Sequence, residues 1–107
     1  MEIKHNRCAY CRRTFDEGKD NLKRTRDHFI PKSRTGRNDE NLLDCCRECN
    51  QWKADKMPEF WLDRVLYFEK KRHLYGTYNL FDYRQIIGSV RHWMKFFKGR
   101  KVCDYKY

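Results

Sequence analysis

Arg26-Asp27-His28-Phe29-Ile30-Pro31, read together with Asn41-Leu42-Leu43-Asp44-Cys45-Cys46-Arg47-Glu48-Cys49-Asn50, decides the fold. Pro31 offers no N–H to a ladder and biases Ile30 towards extended backbone, so a strand over Leu22 to Ile30 stops there. Asn41 to Asp44 reads as a short second strand that pairs back on the first through a long loop. From Cys46 the pattern turns helical and runs to about Lys56. On that helix Asn50 and Lys53 stand one turn apart and share a face with Ala54.

Upstream, Cys8-Ala9-Tyr10-Cys11 repeats the spacing of Cys46 and Cys49. Two Cys-x-x-Cys pairs separated by a loop and a hairpin predict a closed tetrahedral zinc site on Cys8, Cys11, Cys46 and Cys49. Cys45 is the rival of Cys46, but only Cys46 gives the matching spacing. Four thiolates leave no position for water, so this zinc is structural, and Cys45 and Cys103 read as ordinary thiols. Thr14 to Lys23, with Gly18 and Asp20-Asn21, reads as a loop. In the next loop, Lys32 to Asp39, the cations Lys32, Arg34 and Arg37 beside Gly36 are candidate phosphate contacts.

Pro58 suits the first turn of a helix. Phe60, Trp61, Val65, Leu66 and Phe68 give that helix an apolar side to about Tyr75, and Gly76 and Asn79 mark a turn. Asp82 with Gln85 resembles a capping box. A last helix follows, with Tyr83, Ile86, Ile87, Val90, Trp93, Met94 and Phe97 at helical spacing and Gly99 at its end. Its aromatic stripe reads as core, and Arg84, Arg91, Lys95 and Lys98 decorate the other side. The fold class is α+β. Residues 1–56 form a small core stapled by zinc, and residues 57–107 form a helical extension packed on it within one compact domain.

The chain has 107 residues, a formal net charge of +10 and a pI near 9.5, which point to a polyanionic partner, most simply nucleic acid. An aromatic content of 16% argues against disorder despite a mean hydropathy of -1.11. No apolar run approaches the roughly 20 residues of a membrane span, and the N-terminus lacks the apolar core of a signal peptide. The expectation is a cytoplasmic protein, where paired Cys-x-x-Cys motifs mean zinc more often than disulfides. A homodimer or larger assembly stays open.

Asp27-His28-Phe29-Ile30-Pro31, then Asn41-Leu42, then Cys46-x-x-Cys49-Asn50-x-x-Lys53, resembles the HNH endonucleases with their ββα-metal (His-Me finger) fold. The likeness covers about residues 8 to 56. Where the family name implies a final His this chain carries Asn50, so it looks like a His-Asn-Asn variant. The resemblance implies a metal-dependent DNA endonuclease with His28 as general base, Asn41 orienting its loop, and Asp27 and Asn50 holding a catalytic Mg²⁺ or Mn²⁺. Oxygen ligands suit these hard ions. Lys53 becomes a candidate phosphate contact. His5, His73 and His92 match nothing in the motif. Strand alternation sends Asp27 and His28 to opposite sides, so a shared site calls for a bend or bulge at that pair. The alternative is a zinc-stapled nucleic-acid-binding module that does not cut.

Overall fold

Strand β1 (Arg24–His28) and strand β2 (Leu42–Cys46) pair antiparallel in the computed structural model, which describes residues 6–31 and 41–98. The register runs from Arg24 opposite Cys46 to His28 opposite Leu42, with every β1 residue paired. A two-stranded ribbon is marginal on its own and needs other elements to cover it. Three α-helices follow it in the chain: α1 (Arg47–Lys53), α2 (Pro58–Lys71) and α3 (Leu80–Phe97). The predicted α+β class and the strand–strand–helix order of the core are therefore present.

Element boundaries shift for local reasons. β2 reaches Cys46 because that residue is still extended, at φ -71° and ψ 156°, while its sulfur accepts the Cys49 N–H and caps α1. α1 stops at Lys53 rather than Lys56, because Ala54 turns to φ 50° and returns its N–H to the Asn50 carbonyl at 2.8 Å. β1 is shorter than predicted at both ends. Asp20–Leu22 forms a 3-10 turn, and the chain bends after His28.

α2 carries Pro58 in its first turn and ends at Lys71, where Arg72 adopts a left-handed conformation, short of the predicted Tyr75. The capping box of α3 lies one turn earlier than the sequence pattern predicts. Asn79 is the N-cap, accepting the Asp82 N–H at 2.9 Å, and the Asp82 carboxylate accepts the Asn79 N–H at 3.1 Å. Asp82 is therefore the helical partner of the cap rather than the cap itself.

The helices share one aromatic core with the ribbon. Trp52 on α1 stacks on Tyr75 at 4.5 Å and meets Trp61 edge-on at 5.8 Å. It also touches Phe68, Tyr78 and Tyr83. Tyr10 packs edge-on against Trp61 at 5.0 Å, joining the N-terminal knuckle to α2. Such pairs add about 0.5–1.5 kcal/mol each beyond their area burial. The aromatic residues of α2 and α3 thus build the core, although Phe60, Tyr67, Phe81 and Phe96 stay exposed.

The link between α2 and α3 folds back onto α1 through Gly76, at φ +58°. A Cβ there would run into the Glu48 carboxylate. Gly76→Ala is expected to destabilise the chain by about 1–3 kcal/mol, read from the urea midpoint, since it adds left-handed strain to a steric conflict.

Candidate active site

The knuckle is a tight hairpin. Cys8 N–H donates to the Arg13 carbonyl at 2.8 Å, Arg12 sits at φ 67°, and Ala9 N–H reaches the Asp44 carbonyl of β2 at 2.9 Å. This brings Cys8 and Cys11 to the end of β2, where Cys46 and Cys49 flank the start of α1. The four sulfurs are buried and lie within 4.8 Å of one another. A zinc–sulfur bond of about 2.3 Å gives a tetrahedral edge of about 3.8 Å, and Cys11 Sγ and Cys46 Sγ stand 3.8 Å apart. The cluster can hold one zinc ion.

Four thiolates around one dication would leave excess negative charge, and the surroundings carry donors that can answer it. Arg13 donates to Cys11 Sγ at 3.1 Å and to Cys46 Sγ at 3.6 Å, and Tyr78 OH donates to Cys49 Sγ at 3.0 Å. Backbone N–H groups of Tyr10 and Cys49 point at Cys8 Sγ and Cys46 Sγ. Hydrogen bonds from Cys46, Cys49 and Cys8 pull the Cys11 thiol well below its ordinary range, while burial pushes Cys8 and Cys49 up. Arg13 is held in turn by Glu48 at 2.8 Å. Burial opposes ionisation of Glu48, but hydrogen bonds from Thr77 and Arg13 keep its carboxyl below the usual range.

Cys45 stands apart from this cluster. It faces Thr25, whose hydroxyl donates to the Cys45 carbonyl at 2.8 Å, and burial followed by the nearby Asp27 pushes its thiol up. The alternation of β2 therefore separates the two adjacent cysteines, as the spacing argument requires.

On the Cys45 side of the ribbon lies a second constellation. Asp27 is 7% exposed, and its Oδ2 accepts the Tyr10 hydroxyl at 2.6 Å and the Lys53 ammonium at 3.0 Å. Burial pushes the Asp27 carboxyl up, while Lys53, the Tyr10 hydroxyl and His28 pull the other way. Lys53 also donates to the His28 carbonyl at 3.0 Å. Asn50 donates its side-chain N–H₂ to Thr25 Oγ1 at 2.9 Å and to the Arg26 carbonyl at 3.3 Å. Asn41, fully buried, accepts the Ile30 N–H on its Oδ1 at 2.6 Å, and its carbonyl accepts the Phe29 N–H at 2.9 Å. It thereby fixes the bend that follows His28.

A family model described as HNH endonuclease matches residues 8–66, more than half of the chain. The chain belongs to the HNH endonuclease family. No curated protein and no solved structure matches it. The matched span contains both Cys-x-x-Cys pairs, the ribbon, α1 and the start of α2.

In this HNH chain Asp27, Asn50 and Lys53 gather on the side of the ribbon that faces α1. No bulge occurs at Asp27-His28, because both residues are regularly paired and the bend comes afterwards. Lys53, expected as a phosphate contact, has a side chain that is 0% exposed and engaged with Asp27 and the His28 carbonyl, so it braces the corner from within. Lys32, Arg34, Arg37, His5 and Cys103 lie outside the described residues. His73 packs edge-on against Phe68, and His92 sits on α3. Among the described residues no helix is long and apolar enough to cross a membrane.

Sequence reading misses Tyr10, Thr25, Arg13 and Tyr78. Tyr10 carries a signal in hindsight, since it lies between two zinc-spaced cysteines and must follow them. Arg13 and Tyr78 are brought together only by the tertiary fold.

Two outcomes are expected. Cys45→Ser should keep one zinc per chain by elemental analysis, whereas Cys46→Ser should lose it. Lys53→Met should cost about 3–5 kcal/mol by urea unfolding, because it leaves a buried carboxylate without its cation. The charge-free pair Lys53→Met with Asp27→Leu should recover part of that loss.

Proposed function

We propose that the chain is a DNA endonuclease that hydrolyses phosphodiester bonds with His28 as general base and a Mg²⁺ or Mn²⁺ ion held by Asp27 and Asn50. One observation carries this reading. Each candidate ligand has one polar atom anchored by the protein, Asp27 Oδ2 by Tyr10 and Lys53, and Asn50 Nδ2 by Thr25 and Arg26. No described residue donates a hydrogen bond to Asp27 Oδ1 or to Asn50 Oδ1. Two positioned oxygens without donors among the described residues are a donor set that suits a hard dication. Such an ion, when bound, supplies positive charge to the phosphate and the leaving oxygen.

The remaining work falls to the chain's own residues. His28 accepts a proton from the attacking water. Asn41 orients it by clamping the two residues that follow. Lys53 pins the His28 main chain and the Asp27 carboxylate with one ammonium group, so base and ligand hold a fixed relation. Because β1 is regular through His28, the phosphate has to lie across the open end of the ribbon to meet both groups. The zinc site plays a structural part, since Cys49 and Asn50 are neighbours at the start of α1.

The Lys53–Asp27 ion pair favours a second reading, in which this corner is structural and the protein binds nucleic acid without cutting it. Incubating supercoiled plasmid DNA with the protein and Mg²⁺ or Mn²⁺ separates the two. The nuclease reading expects nicked or linear products, reduced about 10²–10⁴-fold by His28→Ala. Intact plasmid across both metals, or equal cutting by the variant, would favour the binding module, which should still shift DNA with an affinity that falls steeply as salt rises.

A further inference from the structure

An open groove of about 910 Å³ runs between the Leu42–Asp44 segment of β2, the Cys8–Cys11 knuckle and one face of α3. That face carries Gln85, Ser89, His92 and Phe96 at helical spacing together with the buried Phe97, whereas Tyr83, Ile86 and Val90 are buried and do not line it. The groove is strongly basic. Arg7, Arg12 and Arg84 line it and are all exposed. The acidic side chain on its wall, Asp44, is already paired with Arg24 at 2.7 Å and Arg26 at 3.7 Å.

Aromatic rings accompany the charge. Phe96 is 41% exposed and stacks on the exposed His92 at 6.4 Å and 27°. Trp93 braces them, edge-on to Phe96 at 5.4 Å, with its Nε1–H donated to the Ala9 carbonyl at 3.0 Å. The groove also has a definite relation to the proposed catalytic corner. Leu42, on its wall, is the cross-strand partner of His28, so the groove opens one strand spacing, about 5 Å, from that residue.

We propose that this groove holds an unpaired DNA strand that leads away from the phosphate at His28. The assignment of the strand as substrate rests on the nuclease reading above. Guanidinium groups track a phosphate backbone, and the partly exposed His92–Phe96 ring pair offers a surface on which unstacked, unpaired bases can stack. A duplex would meet the arginines but not the rings. An acidic peptide would likewise make no use of the His92–Phe96 stack.

Gly88 provides a clean test, because it lines the groove and a Cβ there meets nothing within 4 Å. Helix α3 should accept Glu or Lys at this position. Binding of labelled single-stranded and duplex oligonucleotides, measured by fluorescence anisotropy without added Mg²⁺ or Mn²⁺, would be compared for wild type, Gly88→Glu, Gly88→Lys and Phe96→Ala. Zinc content and thermal unfolding of each variant serve as fold controls. The expected result is single-strand affinity at least about 10-fold weaker for Gly88→Glu, unchanged or tighter for Gly88→Lys, and roughly 5-fold weaker or more for Phe96→Ala. Equal weakening by Glu and Lys, wild-type affinity in all variants, or tighter binding of the duplex than of the single strand would overturn the proposal. Plasmid cutting with groove variants that bind normally would overturn the groove and leave the nuclease reading standing. Groove-dependent binding without cutting would do the reverse.

Discussion

Four cysteine sulfurs meeting at one point join the first described turn of the chain to the start of α1, and most of the structure hangs from that junction. Cys8 and Cys11 hold the knuckle, so Tyr10 between them is carried into the core, where its hydroxyl grips Asp27. Cys49 fixes the first turn of α1, so its neighbour Asn50 meets Thr25 and Arg26 on β1. Lys53, one turn further, closes the circuit onto Asp27 and His28. A core this small has little apolar burial to spare, and a cluster that can hold zinc supplies cross-links that packing alone would not.

The C-terminal helices protect the same junction. Thr77 and Tyr78, on the link between α2 and α3, reach Glu48, Arg13 and Cys49 around the sulfur cluster. Trp52 on α1 sits against rings from α2, the link and α3. The part of the chain beyond the recognisable motif is thus bound to the motif at its two most sensitive places, the thiolates and the helix that carries Asn50. One face of α3 towards β2 lines the basic groove among the described residues.

Features set by local spacing were legible in the sequence. The Cys-x-x-Cys pairs, the choice of Cys46 over Cys45, the two strands around the loop, and three helices with a helical aromatic core all follow from periodicity and spacing. Asn41 was picked out by the family likeness, and in the structure it clamps Phe29 and Ile30. What tertiary packing decides was not legible. A lysine on a polar helix face reads as solvent-exposed, yet Lys53 turns inward because a buried carboxylate waits there. Asp82 looks like a cap by pattern, but Asn79 reaches the free N–H groups first. Phe96 lies off the core stripe, on the helix face that carries Gln85, Ser89 and His92.

Positioning of the Asp27 and Asn50 oxygens by the sulfur cluster is tested most directly by titrating Mn²⁺ into the protein, followed by electron paramagnetic resonance, before and after zinc is removed with a mercurial reagent. A Mn²⁺ site that is lost with the zinc and restored when zinc and free thiols are returned is the expected result. Unchanged Mn²⁺ affinity in the stripped protein would contradict it.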